Sequence, residues 1–491
     1  MVMKNVDIVL VKPGNQKQLY GELSAFGLTA IEPPLWVALW GGFLRKLGYS
    51  VVVYDAEAEN WSFKETAEKI IETKALLAVV VVSGSNPSAS TMNMTGAEKI
   101  VSLVRELDPS IKTLLAGLHP SALPEDTLIN ENTNFVCQGE GFYTLPKLLD
   151  LLRNNADDYS IKGLWYKRDG KIISNPRPPL MENLDELPMP AWDLLPMTKY
   201  RAHNWHCFDN IERRQPYAVL YTTLGCPFHC SFCCINALFG KNTIRYRSVD
   251  LIVEEIDFLV NMYGIRNIKI MDEMFGLKEN RIVSLCDAIK DRGYDLNMWA
   301  YARVDTVSEK MLAKMKTAGV NWVAYGFESG SKKVIEGVSK GYKIDRVKKV
   351  VEMTYNQGMY ICANFIFGLP EDDFDTMTQT FKLMLDINAE WANIYAAMAY
   401  PGSKLYELAL TEGWQLPNSW QGYSQYSFET LPLSTKFLTA GEVLSFRDYA
   451  FHAYYENPCY LAKINRLFGS KTVQHIRKMT EHRLKRQYTR F

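Results

Sequence analysis

The fold of this chain is constrained most by an alternation of short apolar runs with amphipathic stretches. Between residues 1 and 155, five runs rich in Val, Leu and Ile predict strands at 6–11, 49–56, 76–82, 113–117 and 135–139. Apolar residues at helical spacing lie between them, as in "SFKETAEKIIETK" and "TGAEKIVSLVRELDP". Continuous apolar strands joined by helices predict an α/β fold with a parallel, doubly wound, Rossmann-like sheet, whose ligands lie at the carboxyl ends of the strands.

A second alternation, with a longer period, starts near residue 217. It predicts strands at 217–225, 267–273, 296–304, 320–328, 360–368 and 391–401, again with amphipathic helices between them. Six β/α repeats predict a partial TIM-type barrel, (β/α)6, with its active site at the carboxyl ends of the strands.

These patterns divide the chain into a first domain over 1–155, a linker over 156–211, a barrel over 212–435 and a helical carboxy-terminal segment over 436–491. The linker begins with a hairpin signal at Asp169-Gly170 and continues as a proline-rich stretch that suits neither a helix nor a central strand. Residues 460–491 hold nine Lys and Arg against the single acid Glu481. The simplest interpretation of this segment is a solvated helical cap, and an anion- or lipid-headgroup-binding surface is the alternative.

The composition limits which partners and which cellular compartment we expect for this protein. Lys plus Arg and Asp plus Glu number 55 each, so no overall field favours nucleic acid or a membrane surface. The start of the chain lacks the pattern of a signal peptide, and the apolar run "ALLAVVVV" is far shorter than the ~18 residues of a membrane span. Nine scattered cysteines do not form a disulfide framework. We therefore expect a cytoplasmic protein with no membrane span and no nucleic-acid partner.

The stretch "GCPFHCSFCCIN" places Cys226, Cys230 and Cys233 in a CxxxCxxC pattern directly after the first predicted barrel strand. The adjacent Cys234 points in a divergent direction, so we do not expect it to join the other three. Structural zinc sites usually carry a second cysteine pair downstream, and none follows here. An all-protein four-iron cluster needs four cysteines. Three therefore indicate a cluster whose fourth iron keeps an open position for a substrate or a cofactor.

With this triad the sequence resembles the radical S-adenosylmethionine (SAM) superfamily, in the branch with an amino-terminal cobalamin domain. The resemblance covers roughly 212–440 and includes "IMDEMFG", "GFESGS", "FGLP" and "AYPGSKLY". It implies that the open iron of a [4Fe–4S] cluster chelates SAM, which electron transfer cleaves to methionine and a 5′-deoxyadenosyl radical. It also implies an electron donor such as flavodoxin or ferredoxin.

Carried over position by position, the resemblance implies that Cys226, Cys230 and Cys233 hold the cluster. The implied SAM contacts are Phe232, Asp272, Glu273, Arg303, Glu328, Ser329, Phe367 and Gly368. The usual "GGE" of the family is replaced by "MDE", which weakens the assignment of Asp272 and Glu273. A structural ion pair between Glu328 and Arg303 is the alternative interpretation of those two residues.

The first domain resembles the cobalamin-binding domains that precede such barrels, through "EPPLWVALWGGFLRKLGY", "GLHPSALPEDTL" and "GEGFYTLPKLL". The cobalamin contacts that this implies are Asp55, Ser83, Gly84, Ser85, Gly117, His119, Gly139, Glu140 and Gly141. In "DAEAEN", Glu57 and Asn60 replace the His and Gly of the DxHxxG motif through which cobalamin carriers ligate cobalt. The resemblance therefore implies cobalamin without a histidine axial ligand, with His119 as a hydrogen-bonding loop residue.

Together these resemblances imply a cobalamin-dependent radical SAM enzyme that methylates an unactivated carbon of a small-molecule or lipid/glycan-type substrate. A radical oxidative cyclase or rearrangement enzyme, similar to the anaerobic Mg-protoporphyrin monomethyl ester cyclase, stays open as the alternative. A non-catalytic corrinoid-binding protein is a third interpretation, against which the cysteine triad argues. An RNA methylthiotransferase would need more cysteines in the first domain, where only Cys137 is present.

Overall fold

A computed structural model describes residues 6–14, 16–27, 29–84, 86 and 88–489. Its first sheet has seven strands in the order β2-β1-β3-β4-β5-β6-β7. These are β1 (Ile8–Lys12), β2 (Val51–Asp55), β3 (Leu77–Val82), β4 (Lys112–Gly117), β5 (Phe135–Cys137), β6 (Leu164–Arg168) and β7 (Lys171–Ser174). β1 to β5 run parallel, and β1 pairs with both β2 and β3. The predicted doubly wound sheet is confirmed, and its strand order reverses between β1 and β3.

In the described part of the first domain, eight α-helices accompany this sheet. They are α1 (Gln16–Tyr20), α2 (Leu35–Lys46), α3 (Ala56–Glu59), α4 (Phe63–Glu72), α5 (Met94–Leu107), α6 (Leu118–Ala122), α7 (Pro124–Asn130) and α8 (Thr144–Arg153). The start of α4 illustrates how the sequence sets these boundaries, because the Ser62 hydroxyl accepts the Glu65 N–H.

The predicted hairpin is present, but it belongs to the first sheet rather than to a linker. Asp169 and Gly170 have φ values of +51° and +71°, as a two-residue hairpin turn requires. β6 pairs antiparallel with β5 and β7 pairs with β6, so the hairpin extends the edge of the sheet. The reason is that β5 presents an open edge, against which Leu164 and Tyr166 are buried.

The connection that follows is a packed layer between the domains. Leu184, Trp192 and Tyr200 are fully buried along it. Trp192 Nε1 donates to Glu255 in the barrel, and the Arg177 guanidinium donates to the carbonyls of residues 237 and 238. Proline prevents regular structure in this segment, while its apolar side chains fill the space between the two sheets.

The second sheet has six parallel strands in the order β15-β14-β13-β12-β11-β8. The strands of this part are β8 (Tyr217–Leu220), β9 (Thr223–Leu224), β10 (Arg245–Tyr246), β11 (Asn267–Ile270), β12 (Asn297–Ala302), β13 (Val320–Glu328), β14 (Tyr360–Phe367) and β15 (Trp391–Ala396). β9 and β10 form a separate short antiparallel pair. Since β8 and β15 are not paired with each other, the six strands form an open, partial barrel, as predicted.

The barrel helices are α9 (Asn236–Phe239), α10 (Val249–Tyr263), α11 (Glu279–Asp291), α12 (Glu309–Thr317), α13 (Lys332–Gly337), α14 (Asp345–Asn356), α15 (Phe374–Ile387) and α16 (Lys404–Glu412). Three more follow: α17 (Ala440–Tyr455), α18 (Pro458–Phe468) and α19 (Ser470–Thr480). Capping boxes start α15, at Asp373 and Thr376, and α17, at Thr439 and Glu442.

The predicted helical end of the chain is present, with basic residues exposed on one face and a second face packed on the barrel. Phe468 stacks on Trp322 at 6.2 Å, and the Thr472 hydroxyl donates to the Phe208 carbonyl. Tyr454 and Tyr455 donate to the backbone at the start of β15. The sequence pattern shows the basic residues of this segment and hides the apolar and tyrosine face that packs on the barrel.

One buried apolar cluster runs from the first sheet through residues 180–208 into the barrel, so the two domains share a core. A second cluster fills the other face of the first sheet, under α4 and α5. Within the described ranges, none of the helices is long and apolar enough to cross a membrane.

Candidate active site

The cysteine triad lies on an irregular loop between β9 and α9. Gly225 begins the loop with a φ of +92°, and a Cβ there would lie 2.4 Å from the carbonyl oxygen of Thr243. Only glycine fits such a position. The loop is fixed by backbone hydrogen bonds from Ser231 to Val338 and from Leu405 to Ser231.

The structure separates the triad from its neighbour Cys234. Cys226, Cys230 and Cys233 are each partly exposed, whereas Cys234 is buried and donates its thiol to the Ser88 carbonyl at 2.9 Å. Burial raises the pKa of Cys226 to about 11 and that of Cys233 to about 12. These thiols are therefore protonated at neutral pH unless iron binds and displaces the proton.

No three His, Cys, Asp or Glu side chains converge to hold a single metal ion in the described part of the chain. The triad is therefore not arranged as a mononuclear site. In an iron–sulfur cluster each cysteine binds a different iron, so the three sulfurs lie further apart than the ligands of one ion. A partly exposed loop with three thiols fits such a group.

Cys226 and Cys233 line a cavity of about 920 Å³ between the two domains. Its wall comes from the carboxyl ends of both sheets, from the segment after β1, from residues 424–426 and from the carboxy-terminal helices. The strand ends of the first sheet and the cysteine loop of the second therefore share one enclosed space.

Four of the eight predicted SAM contacts line this cavity: Phe232, Glu273, Arg303 and Glu328. Glu273 accepts the Gly225 N–H at 3.1 Å, and burial together with the Asp272 charge raises its pKa to about 8. Glu328 has a φ of +58°, an uncommon conformation for a residue with a side chain. Such backbone strain occurs preferentially at functional sites.

The other four predicted contacts do not line the cavity, and hydrogen bonds and packing explain why. Asp272 is fully buried and accepts the N–H groups of Thr222 and Thr223. The Ser329 hydroxyl bonds Thr380. The ring of Phe367 packs on Phe446, and the Gly368 N–H donates to Asp372. In this structure these residues fix the strand ends.

The predicted alternative, an ion pair between Glu328 and Arg303, is wrong. Glu328 instead pairs with Lys340 at 2.6 Å. Arg303 donates two hydrogen bonds to Asp305, at 2.9 and 3.0 Å, and its Nη1 lies 3.7 Å from the Cys230 sulfur. Its guanidinium also stacks on Phe228 at 3.8 Å. Two cations, Arg303 and Lys340, therefore lie beside the triad.

At the first sheet, Ser83, Gly84 and Gly117 line the cavity. A Cβ on Gly84 would lie 2.3 Å from the Ala89 carbonyl, and one on Gly117, whose φ is +116°, would lie 2.2 Å from the Val82 carbonyl. The neighbouring Ser85 is outside the described residues. These strand ends have no space for larger side chains, as expected where a ligand approaches the backbone closely.

The remaining predicted cobalamin contacts have structural partners. Asp55 caps α3 and accepts the Tyr200 hydroxyl. Glu140 accepts two hydrogen bonds from Arg245, at 2.6 and 2.9 Å, and so ties the domains together. Gly141 packs against Trp40, and Gly139 contacts Pro178. None of Asp55, Gly139, Glu140 and Gly141 lines the cavity.

His119 is buried beside the cavity rather than in its wall. Its Nδ1 lies 3.3 Å from the Thr91 hydroxyl, and its ring meets the edge of Trp420 at 4.8 Å. Burial lowers its pKa to about 3, so the imidazole is neutral at physiological pH. Three buried polar atoms here have no partner in the described part of the chain: His119 Nε2, Ser90 Oγ and Thr95 Oγ1. Orphaned polar groups beside small residues fit a polar ligand at this edge of the sheet.

Glu57, which replaces the histidine of the cobalt-ligating motif, lines the cavity. Its carboxylate pairs with Lys12 at 3.3 Å and accepts a hydrogen bond from Gln16 at 2.8 Å. Because its carboxylate is paired in this way, we do not expect Glu57 to bind cobalt.

Sequence reasoning missed the polar lumen of the barrel. Lys269 is buried on β11 and pairs with Glu32 of the first domain at 3.0 Å, while burial lowers the pKa of this lysine. Asn393 donates to Asn364 across two neighbouring strands. All four line the cavity. A lysine inside the apolar strand "NIKI" is the signal that would have found the first of them.

Two family models match the chain at these two sites. The B12 binding domain matches residues 28–149, and the Radical SAM superfamily matches residues 220–384. The chain is a cobalamin-dependent radical SAM enzyme. Its cofactors are a [4Fe–4S] cluster, SAM and cobalamin, as the cysteine triad and the resemblance of the first domain implied.

Known relatives of this radical SAM enzyme span nearly its whole length. An uncharacterized methyltransferase of Pyrococcus horikoshii is 29% identical over 462 residues, which cover 94% of this chain and 95% of that one. The anaerobic magnesium-protoporphyrin IX monomethyl ester cyclase of Rubrivivax gelatinosus is 27% identical over 387 residues, covering 76% of this chain and 66% of the cyclase.

The fold of this radical SAM enzyme is also that of the radical SAM methyltransferase TsrM from Kitasatospora setae, in a structure with cobalamin and a [4Fe–4S] cluster bound. The TM-score is 0.68 at 15% identity, over 97% of this chain and 100% of TsrM. At this identity the likeness concerns the fold.

Proposed function

We propose that this enzyme transfers a methyl group to a carbon atom of a substrate bound in the interdomain cavity. The observation that carries the proposal is that one cavity receives both the cysteine loop and the strand ends of the cobalamin domain. Methylation of an unactivated carbon needs both cofactors to reach the same substrate, and a single shared cavity meets that need.

The proposed cluster ligands are Cys226, Cys230 and Cys233. When bound, the cluster and SAM supply the radical that activates a C–H bond, and cobalamin supplies the methyl group. Around the open side of the triad, Glu273 offers a carboxyl group and the Glu328–Lys340 pair offers charges of both signs. These groups suit the ammonium and carboxylate of the methionine moiety, with Phe232 beside the adenine.

Ser83, Gly84 and Gly117 are the proposed cradle of the cobalamin tail, because a side chain at either glycine would strike the backbone. Ser90, Thr95 and His119 offer unpartnered polar atoms next to it. Since Glu57 is paired with Lys12, we expect the cobalt to carry no nitrogen ligand from the protein.

The rest of the cavity wall favours a polar acceptor. Asn364, Asn393, Tyr301 and Tyr395 line it together with the Lys269–Glu32 pair. Buried amides and charges disfavour a purely hydrocarbon ligand, because such a ligand would remove them from water without offering further hydrogen bonds. This favours a small-molecule or glycan-type substrate over a lipid chain. Nine free cysteines favour a reducing, cytoplasmic compartment.

The proposal can be tested before the acceptor is known. Anaerobically reconstituted enzyme with bound cobalamin is incubated with methyl-labelled SAM and a reductant. We expect the label to be recovered with the cobalamin, together with an equal amount of S-adenosylhomocysteine. SAM cleavage to 5′-deoxyadenosine with no label on cobalamin would contradict methyl transfer.

The second candidate is a radical oxidative cyclase, favoured by the 27% identity to the anaerobic cyclase of Rubrivivax gelatinosus. The two candidates differ in products once the acceptor is in hand. A methyltransferase forms 5′-deoxyadenosine and S-adenosylhomocysteine in equal amounts, whereas a cyclase forms product at full rate without matching S-adenosylhomocysteine.

A further inference from the structure

A strongly basic surface adjoins the cysteine loop. Residues 331–350 contain seven Lys and Arg against two acids, in a chain whose charges balance at 55 each. Six of the seven are exposed, on α13, on α14 and on the connection between them. We call these six residues the basic patch: Lys332, Lys333, Lys343, Arg346, Lys348 and Lys349.

Four of the six patch residues, Arg346 among them, form no ion pair among the residues that the structure describes. Lys332 pairs with Glu336 at 3.7 Å and Lys333 with Glu371 at 3.3 Å. Within the described ranges, no ion pair involves Lys343, Lys348 or Lys349. The patch therefore carries a net positive charge toward solvent, which steers anionic partners over roughly 10 Å at physiological salt.

Direct contacts link the patch to the triad. Arg346, a member of the patch, donates through Nε to the Val304 carbonyl at 3.0 Å. The next residue back is Arg303, whose Nη1 lies 3.7 Å from the Cys230 sulfur. From the same side, Ser231 donates its N–H to the Val338 carbonyl, directly after α13. The cysteine loop is thus held against the segments that carry the patch.

Cys230 differs from the other two ligands in the direction it faces. Cys226 and Cys233 line the cavity and Cys230 does not. Cys230 is partly exposed and follows the exposed His229. Two members of the triad therefore lie in the cavity wall, while Cys230 lies outside it and beside Arg303, whose neighbour Val304 bonds the patch residue Arg346.

A cleft lies beside the basic patch. It has a volume of about 540 Å³ and lies between α14 and residues 304–310. Arg346 and Lys349 line it from α14, and Glu279, Glu309 and Lys310 line it from α11 and α12, where Lys310 pairs with Glu279 at 3.6 Å. The positive charge of the cleft is therefore on its α14 side, where Arg346 and Lys349 can meet an acidic side chain of a docked protein.

We propose that the basic patch is the docking surface for a small acidic electron-carrier protein, which passes one electron to the cluster at its Cys230 side. The reduced carrier loses one electron and the cluster gains it, with no bond made or broken. None of the six patch residues lines the cavity, so a docked carrier does not obstruct it. The proposal rests on the radical SAM chemistry and not on the identity of the methyl acceptor.

The test uses the full, cluster-loaded enzyme and reduced flavodoxin as the probe, with cluster reduction followed by stopped-flow absorbance. We expect the second-order rate to fall at least tenfold between about 50 and 300 mM NaCl, as for steered association. The double variant Lys343→Glu/Lys348→Glu should lose about tenfold at low salt, because like charges then face the acidic carrier.

The matched control is Lys64→Glu/Lys99→Glu, which makes the same charge change at exposed lysines of α4 and α5 in the first domain. It should keep the parent rate. Photoreduced 5-deazariboflavin, a small uncharged reductant, should reduce the clusters of all three proteins equally, which shows that the patch variant is intact. Equal losses in the two charge variants, or a parent rate independent of salt, would overturn the proposal.

Discussion

The two sheets present their strand ends to the same cavity with opposite chemistry. At the first sheet the ends of β3 and β4 are small and uncharged, with Ser83, Gly84 and Gly117, while the Lys12–Glu57 ion pair lies at the ends of β1 and β2. At the second sheet the wall is charged: Glu328, with Arg303 and Lys340 next to the cysteine loop. The same element of a parallel α/β fold thus supplies a steric cradle in one domain and an electrostatic site in the other.

This difference has a physical reason. A large ligand that enters between strands and helices is limited by backbone approach, so glycines decide whether it binds. The binding of a small charged ligand at a redox centre is limited by the local electrostatic field and by the orientation of the ligand. Charged side chains therefore decide whether it binds. Steric changes should therefore be most damaging at the first sheet, and changes of charge or thiol at the second.

The largest effect that we expect is at the cysteine loop. Cys230→Ala should abolish SAM cleavage and lower the iron content, because no other cysteine can replace the missing ligand. Cys234→Ala is the matched control, since this neighbour is buried and bonds Ser88 instead. Iron analysis and 5′-deoxyadenosine formation measure both. Equal loss in the two variants would mean that the third ligand is wrongly assigned.

The next largest effect concerns the glycines at the strand ends of the first sheet. Gly117→Ala places a Cβ 2.2 Å from the Val82 carbonyl at a φ of +116°, so the strand end must shift. We expect cobalamin binding to be lost while iron loading of the barrel persists. Gly48→Ala is the control, because Gly48 also has a positive φ, +88°, with nothing within 4 Å of a Cβ. Normal cobalamin content in Gly117→Ala would contradict the cradle.

The sequence predicted both sheets because their strands are nearly uninterrupted apolar runs, and it predicted the triad because ligand spacing is local. It predicted only some of the polar residues that face the cavity, such as Glu273, Arg303 and Glu328. Asp272 and Glu273 are adjacent in sequence, yet one fixes β8 and the other lines the site. Lys340 and Glu32 reach the cavity from segments distant in sequence, which only tertiary packing brings together.

A smaller effect tests whether His119, beside the first sheet, is uncharged in the folded protein. The pKa of His119 is about 3 in the folded protein, against 6.5 for an unperturbed imidazole. The unfolded state therefore binds more protons between these values, and stability falls as pH drops below 6.5. This costs about 2 kcal/mol at pH 5. His119→Gln should show a smaller loss of Tm between pH 7 and pH 5 than the parent, whereas a change at the exposed His229 should not.

The smallest effect that we expect concerns the positive charge beside the cysteine loop. Arg303 lies 3.7 Å from the Cys230 sulfur, and its positive charge stabilises the reduced cluster. Arg303→Gln should therefore lower the midpoint potential by about 60 mV, the equivalent of about 1.4 kcal/mol for one electron. In Arg303→Lys, where the positive charge is kept, the midpoint potential should fall by less. A potential titration followed by electron paramagnetic resonance measures both, and an unchanged potential in Arg303→Gln would show that the contact has no electrostatic role.

The central claim is that the two unlike strand ends serve one shared cavity. Electron paramagnetic resonance of enzyme loaded with both Co(II) cobalamin and the reduced cluster tests it directly. If both cofactors face the 920 Å³ cavity, their spins are close enough to couple, and the spectrum should show dipolar broadening that is absent from either cofactor alone. A spectrum equal to the sum of the two separate signals would contradict the shared cavity.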